Sequence, residues 1–216
     1  MIVVAAIQTS GGRGKKAPPP MDKAEVARRQ LGTALDMFLR DQDPVSVHSL
    51  AMAGGEIAEQ LARNAGAEPF VSHVLKTFPD MDMPKIRSLQ RKYSNAFKHA
   101  TTRNDQDRQD AEVIKSFDLK INEDTLFVVW HDMMHTGLPA PIEAQAFMVW
   151  YFAKYPEKLN PAVDSSTYLE TFPNLRSLSP PRQLDRLRDV IRKAKKNGAA
   201  MQDPRTDRRP LVLPWG

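Results

Sequence analysis

Arg91, Asn95 and His99 lie at i, i+4 and i+8 of the segment RKYSNAFKHA, so on a helix they form one polar stripe with Lys98 beside the histidine. An imidazole exchanges a proton near neutral pH, and a guanidinium or ammonium neutralises developing negative charge. An amide orients a polar group. These four residues, Arg91, Asn95, Lys98 and His99, are the candidate catalytic set, with His99 the group suited to proton transfer. A second stripe, His48, Met52 and Glu56, has the same spacing inside VSVHSLAMAGGEIAEQL. Beside Glu56, Gly54 and Gly55 admit close approach of another backbone or a ligand. If the two stripes face each other, His48, Glu56, Asn95, Lys98 and His99 make a compact polar cluster. A buried Glu and Lys in it would shift a histidine pKa into the range for proton transfer. The competing reading is a solvated helix face, with each histidine simply hydrogen-bonded in place.

His131-Asp-Met-Met-His135 places two histidines one turn apart, the spacing of a His-Glu-x-x-His zinc site, with Asp132 where the glutamate would stand. No third ligand follows at a familiar spacing. The favoured reading is therefore a pair of histidines complementing a helix C-terminus, with no metal and no cofactor. Asp132 instead joins His48 and Glu56 as a candidate ligand-binding residue, facing the His99 cluster.

The elements that must carry these residues are helical. Asp22 and Glu25 form a capping-box-like start to a helix reaching Arg40, along which Leu31, Leu35, Phe38 and Leu39 repeat at helical spacing. Asp43-Pro44 opens a second helix to about Asn64, stopped by Gly66. A short helix over 69–77 and a longer one from Pro84 to about Ala100 follow. Residues 101–112 read as a polar loop and Val113–Ile121 as an extended segment. Asn122 is read as the cap of the helix that ends at Gly137. Pro141–Tyr155 is apolar nearly all round and predicts a buried central helix. Helices over Asp164–Phe172 and Pro181–Lys196 complete an all-α fold, an irregular helical bundle.

Two resemblances bear on function. The segment Asn95–Ala100, NAFKHA, is similar to the Asn-Phe-Phe-Lys-His-Ala motif of a group of uncharacterised bacterial helical proteins. The likeness extends to DPVSVHSLAMAGGEI and PIEAQAFMVWYFAKYPE and covers about 25–175. The acidic continuation usual after His-Ala is TTRNDQD here. More loosely, the chain resembles HEPN domains, helical bundles whose ribonuclease members are dimeric, need no metal and carry an Arg followed by a His. Seven residues separate Arg91 from His99, against four to six in that family. The resemblance implies a metal-independent ribonuclease in which His99 acts on an RNA 2′-hydroxyl, with a homodimer as its assembly. The reading set against it is a binding or regulatory module with its polar site around Asn95, Lys98 and His99.

Charge separates these readings by location. The 216 residues carry a formal net charge of +5. Residues 1–20 hold Arg13, Lys15 and Lys16 without an acid, giving +3, and 181–216 hold ten bases and four acids, giving +6. The body, 21–180, is left at −4, so RNA is expected only at the basic C-terminal helix and tail. The body itself points to a protein or small-ligand partner. Residues 1–20 read as a flexible arm or an upstream start ahead of Met21. The absence of cysteine excludes disulfides, thiolate metal sites and cysteine nucleophiles. No membrane span or targeting segment is recognised, so the expected compartment is the cytoplasm.

Overall fold

A computed structural model describes residues 21–160 and 162–214; the arm at 1–20 and the last two residues of the tail lie outside them. The described chain is all-α. The first four helices are α1 (Lys23–Leu39), α2 (Pro44–Asn64), α3 (Phe70–Thr77) and α4 (Met83–Lys98). They are followed by α5 (Ala111–Lys115), α6 (Leu119–Met134) and α7 (Ile142–Lys154), then α8 (Ser166–Thr171), α9 (Pro180–Lys196) and α10 (Gly198–Gln202). Two strands of two residues each, β1 (Ala140–Pro141) and β2 (Thr206–Asp207), pair in parallel.

Local chemistry sets the boundaries. The Asp22 carboxylate accepts from Glu25 N, Asp43 from Ser46 N and Asp82 from Lys85 N, each closing a helix start. Gly66 ends α2 with φ +78°, a left-handed geometry that glycine adopts without a steric penalty. Two expectations are corrected. Val113–Ile121 is not an extended segment: its start belongs to α5, together with Ala111 and Glu112 of the expected loop, and its end, from Leu119, to α6. Asn122 does not cap α6: Asp118, accepting from Lys120 N and Ile121 N, starts that helix one turn earlier. Asn122 is consequently buried within the helix and donates to Pro44 O at 2.9 Å.

The hub is α2, wedged between α1 and α6. Its buried face is a run of small residues, Ala51, Gly54, Gly55, Ala58 and Ala62. A Cβ at Gly54 would stand 2.8 Å from the Leu31 side chain of α1, and one at Gly55 would collide with Val129 Cγ1 of α6. Small residues on one helix therefore let large ones on both neighbours reach its backbone, where native packing density leaves no room for a methyl group. Around this hub lie Leu31, Leu35, Leu126, Trp130, Phe147 and Trp150, all at most 1% exposed. As expected of a buried helix, α7 carries Phe147, Trp150 and Tyr151 into this core.

The C-terminal segment is built into the same core. Leu184, Leu187 and Ile191 of α9 are buried, and Trp150 Nε1 donates to Gln183 O at 3.1 Å. Beyond β2 the chain crosses α1, where the buried Arg28 guanidinium donates to Asp207 (2.9 Å), Leu211 O (2.8 Å) and Pro210 O (3.0 Å). Burial depresses the Arg28 pKa, with Asp207 opposing it. Burial pushes the Asp207 carboxyl up, but hydrogen bonds from Arg209 and Arg28 prevail and hold it below its usual value. Asp207→Ala would strand a buried guanidinium and is expected to cost about 3–5 kcal/mol in urea unfolding. Arg209→Ala removes a half-exposed partner of the same carboxylate and should cost under about 1 kcal/mol. Similar losses in the two variants would refute the clamp.

Candidate functional site

Between α2, α4 and α6 lies a cleft of ≈280 Å³. His48, Met52, Gly55, Glu56 and Glu59 reach it from α2, a helical one-face spacing; Ile121, Asp124, Thr125, Val128 and Asp132 reach it from α6 at the same period. Arg87, Leu89, Gln90, Arg91 and Tyr93 of α4 form the third wall. The sequence-derived residues His48, Glu56, Arg91 and Asp132 thus meet at one place.

Two expectations fail there. Lys98 and His99 line neither this cleft nor the basin beside it, because α4 ends at Lys98 and the His99 backbone turns extended (φ −119°, ψ 118°), leaving both exposed. Neither Glu56 nor Lys98 is buried. The Glu56 carboxylate, about half exposed, pairs with Arg91 Nε at 3.3 Å across the mouth. Asn95 lies on the far side of α4, in an open basin of ≈390 Å³. That basin is also lined by Arg87, Arg91, Lys92, Arg108 and Asp110, so Arg87 and Arg91 border both cavities.

The charged groups around the cleft are committed to partners. Glu59 receives Arg87 and, at 2.8 Å, Arg63. Burial raises the Glu59 carboxyl, and the two guanidiniums more than reverse that. Asp124 accepts from Tyr151 Oη (2.5 Å) and Lys158 Nζ (2.7 Å). The Tyr151 phenol is pushed far above its ordinary pKa, by burial first and then by Asp124. Next to it, Glu123 accepts from Lys154 (2.7 Å) and Tyr155 Oη (2.8 Å). Asp132 accepts from Phe70 N at 2.7 Å, tying α3 to α6, and lies 3.2 Å from His131 Nδ1.

His48 is the exception. It is 1% exposed, and neither ring nitrogen makes a hydrogen bond of full geometry; Asn122 is close enough to interact with the ring but not aligned with it. Tyr93, Phe97 and Phe117 meet the ring edge-on, with centroids 6.0, 5.8 and 5.4 Å away. The polar side chain that acts on the ring is Asn122, whose Oδ1 has no other partner. Burial lowers the His48 pKa, and the Asn122 side chain opposes this only in part. Sequence spacing singled out His48 but not its aromatic surround, since Phe117 comes from a segment read as extended.

Among the described residues, no group of three or more His, Asp or Glu side chains is placed so that it could hold a metal ion, and no described helix is long and apolar enough to cross a membrane. No known protein family matches the chain, nor does any curated protein or solved structure. The site must therefore be read from its own chemistry.

The His48 pKa sets a pH dependence. Because the folded value lies below the unfolded one, the contribution of the neutral ring to stability is complete above roughly pH 6.5. It is lost as pH falls from there through the folded pKa. Urea unfolding at a series of pH values should show wild type losing stability on acidification through this window more steeply than His48→Leu. Parallel curves would show that the ring is not held neutral by burial.

Proposed function

We propose that the chain is a binding module for a small planar organic molecule, seated in the α2–α4–α6 cleft with His48 at its base. The observation carrying this reading is the buried imidazole at the cleft, whose nitrogens make no hydrogen bond of full geometry and have only Asn122 close by. In its neutral form the ring offers one donor and one acceptor. Leaving such a group unsatisfied costs about 1–3 kcal/mol, a cost a ligand with complementary polar atoms would remove. Met52, Leu89, Ile121 and Val128 supply the apolar contact that a small-molecule site needs around a few placed polar groups. In the adjoining basin Arg87, Arg91 and Arg108 are paired with Glu59, Glu56 and Asp110, and Lys92, with no carboxylate against it, is the cation left for an anion. The ligand class is therefore a planar ring bearing an anionic group, the ring in the cleft and the anion over the basin.

A ribonuclease centred on His99 gains less from the geometry. Along α4, Arg91 and His99 are about 12 Å apart at 1.5 Å per residue, so one chain does not bring both to a single phosphate. Nor is the C-terminal segment an open basic surface. Arg188, Arg192, Lys195, Arg205 and Arg209 are all engaged by carboxylates. RNA contact there is left to fewer bases than the composition suggests.

The test uses benzimidazole and benzimidazole carboxylate as probes, followed by amide and His-ring NMR. Both should shift His48, Gly55 and Tyr93, with the carboxylate binding about tenfold tighter. Lys92→Ala should erase that increment, and His48→Leu should abolish both shifts. Shifts confined to other surfaces would overturn the assignment.

A further inference from the structure

His48 lines the cleft, yet it is 1% exposed, because Tyr93 and Phe97 of α4 and Phe117 stand edge-on around its ring. These three rings also pack on one another: the Phe117 centroid lies 5.2 Å from that of Tyr93 and 5.0 Å from that of Phe97. A ligand reaches the imidazole nitrogens only if this aromatic cap moves.

The three walls of the cleft are held with very different firmness. On α2, Ala51 and Ala58 are fully buried, and on α6 so are Leu126 and Trp130. On α4 the single buried residue is Ile86, near its start. From residue 87 to residue 121 none is buried, and the chain re-enters the core at Asn122. A segment that buries so little opens locally at a much lower free energy than the whole fold.

Polar contacts divide in the same way. Tyr93 Oη donates to Ser116 O at 3.1 Å, Arg108 pairs with Asp110, and Thr102 N donates to Gln106 O at 2.7 Å. These bonds hold α4, the loop after it and α5 together as one unit. Toward α2, Arg87 pairs with Glu59 at the anchored end, next to Ile86. Further along α4, among the described residues, the only ion pair to α2 or α6 is Arg91–Glu56, 3.3 Å apart with both side chains about half exposed. Water screens such a pair, so it fastens weakly.

We propose that residues 88–118 form a lid over His48, hinged near Ile86 at one end and Asp118 at the other, with Arg91–Glu56 as its latch. Opening of the lid admits a planar ligand to the base of the cleft. That purpose rests on the binding reading above; the motion itself does not.

Diethyl pyrocarbonate, which acylates accessible neutral imidazoles, tests the lid on the full chain without ligand. Peptide mass spectrometry reads the modification, alongside amide hydrogen exchange. His48 should react more slowly than the exposed His99, by a factor matching the protection of the α4 amides. That factor should be smaller, on the order of tenfold or more, than the protection of the buried α2 and α6 amides. Arg91→Ala should speed the reaction of His48 about threefold, the scale of a half-exposed ion pair, whereas Arg192→Ala, which breaks an exposed pair on α9, should not. Because the chain has no cysteine, Glu56→Cys/Arg91→Cys can be bridged specifically by a bismaleimide, and the bridged protein should react at His48 markedly more slowly. His48 protected as strongly as the core amides, or reacting equally fast with and without the bridge, would overturn the lid. A chain that passes these tests but binds no benzimidazole would keep the lid and lose the binding reading.

Discussion

Everything in this fold depends on how closely α1 and α6 approach the backbone of α2. Gly54 faces Leu31 and Gly55 faces Val129, with no space for a side chain at either. The same helix that needs these glycines carries His48, Met52, Glu56 and Glu59 on its adjoining face. Tight packing on one side thus fixes the depth and angle of the cleft on the other. A methyl group at Gly55 would push Val129 out of place, and Val129 itself lines the cleft.

Electrostatics then distinguishes structural groups from candidate functional ones. Buried charges are costly unless paired, and here Arg28, Asp207, Glu59 and Asp132 all have partners. Tyr151 and Lys158 serve Asp124 in the same way. Buried polar atoms of Trp130, Gln30 and Gln183 also lack a partner, but His48 is distinguished by lying against the cleft with both ring nitrogens short of a full hydrogen bond.

The helices were legible wherever capping chemistry was local: Asp22 and Asp43 each sit directly before the turn they close, whereas Pro84 marked the start of α4 and its cap, Asp82, went unread. Asn122 was misread because two capping-type residues lie four apart, and only tertiary packing decides that Asp118 caps while Asn122 is buried against Pro44. Val113–Ile121 was misread because an apolar run that short fits helix or strand equally well. For the site, the i, i+4 spacing of His48, Met52 and Glu56 correctly marked one face. The α4 stripe misled at its end: a helical period cannot show that the helix stops before His99. Pairings between distant segments, such as Arg28 with Asp207 or His73 with His131, leave no local signal at all.

The central claim is that His48 is kept for binding at a cost to stability, and the unfolding free energy of His48→Leu at neutral pH tests it most directly. Leucine has nearly the volume of histidine and no polar atom to strand in this aromatic surround. The variant is predicted to be more stable than wild type by about 1–3 kcal/mol. A variant less stable than wild type by a similar amount would show that His48 is an ordinary satisfied core residue, and would contradict the account.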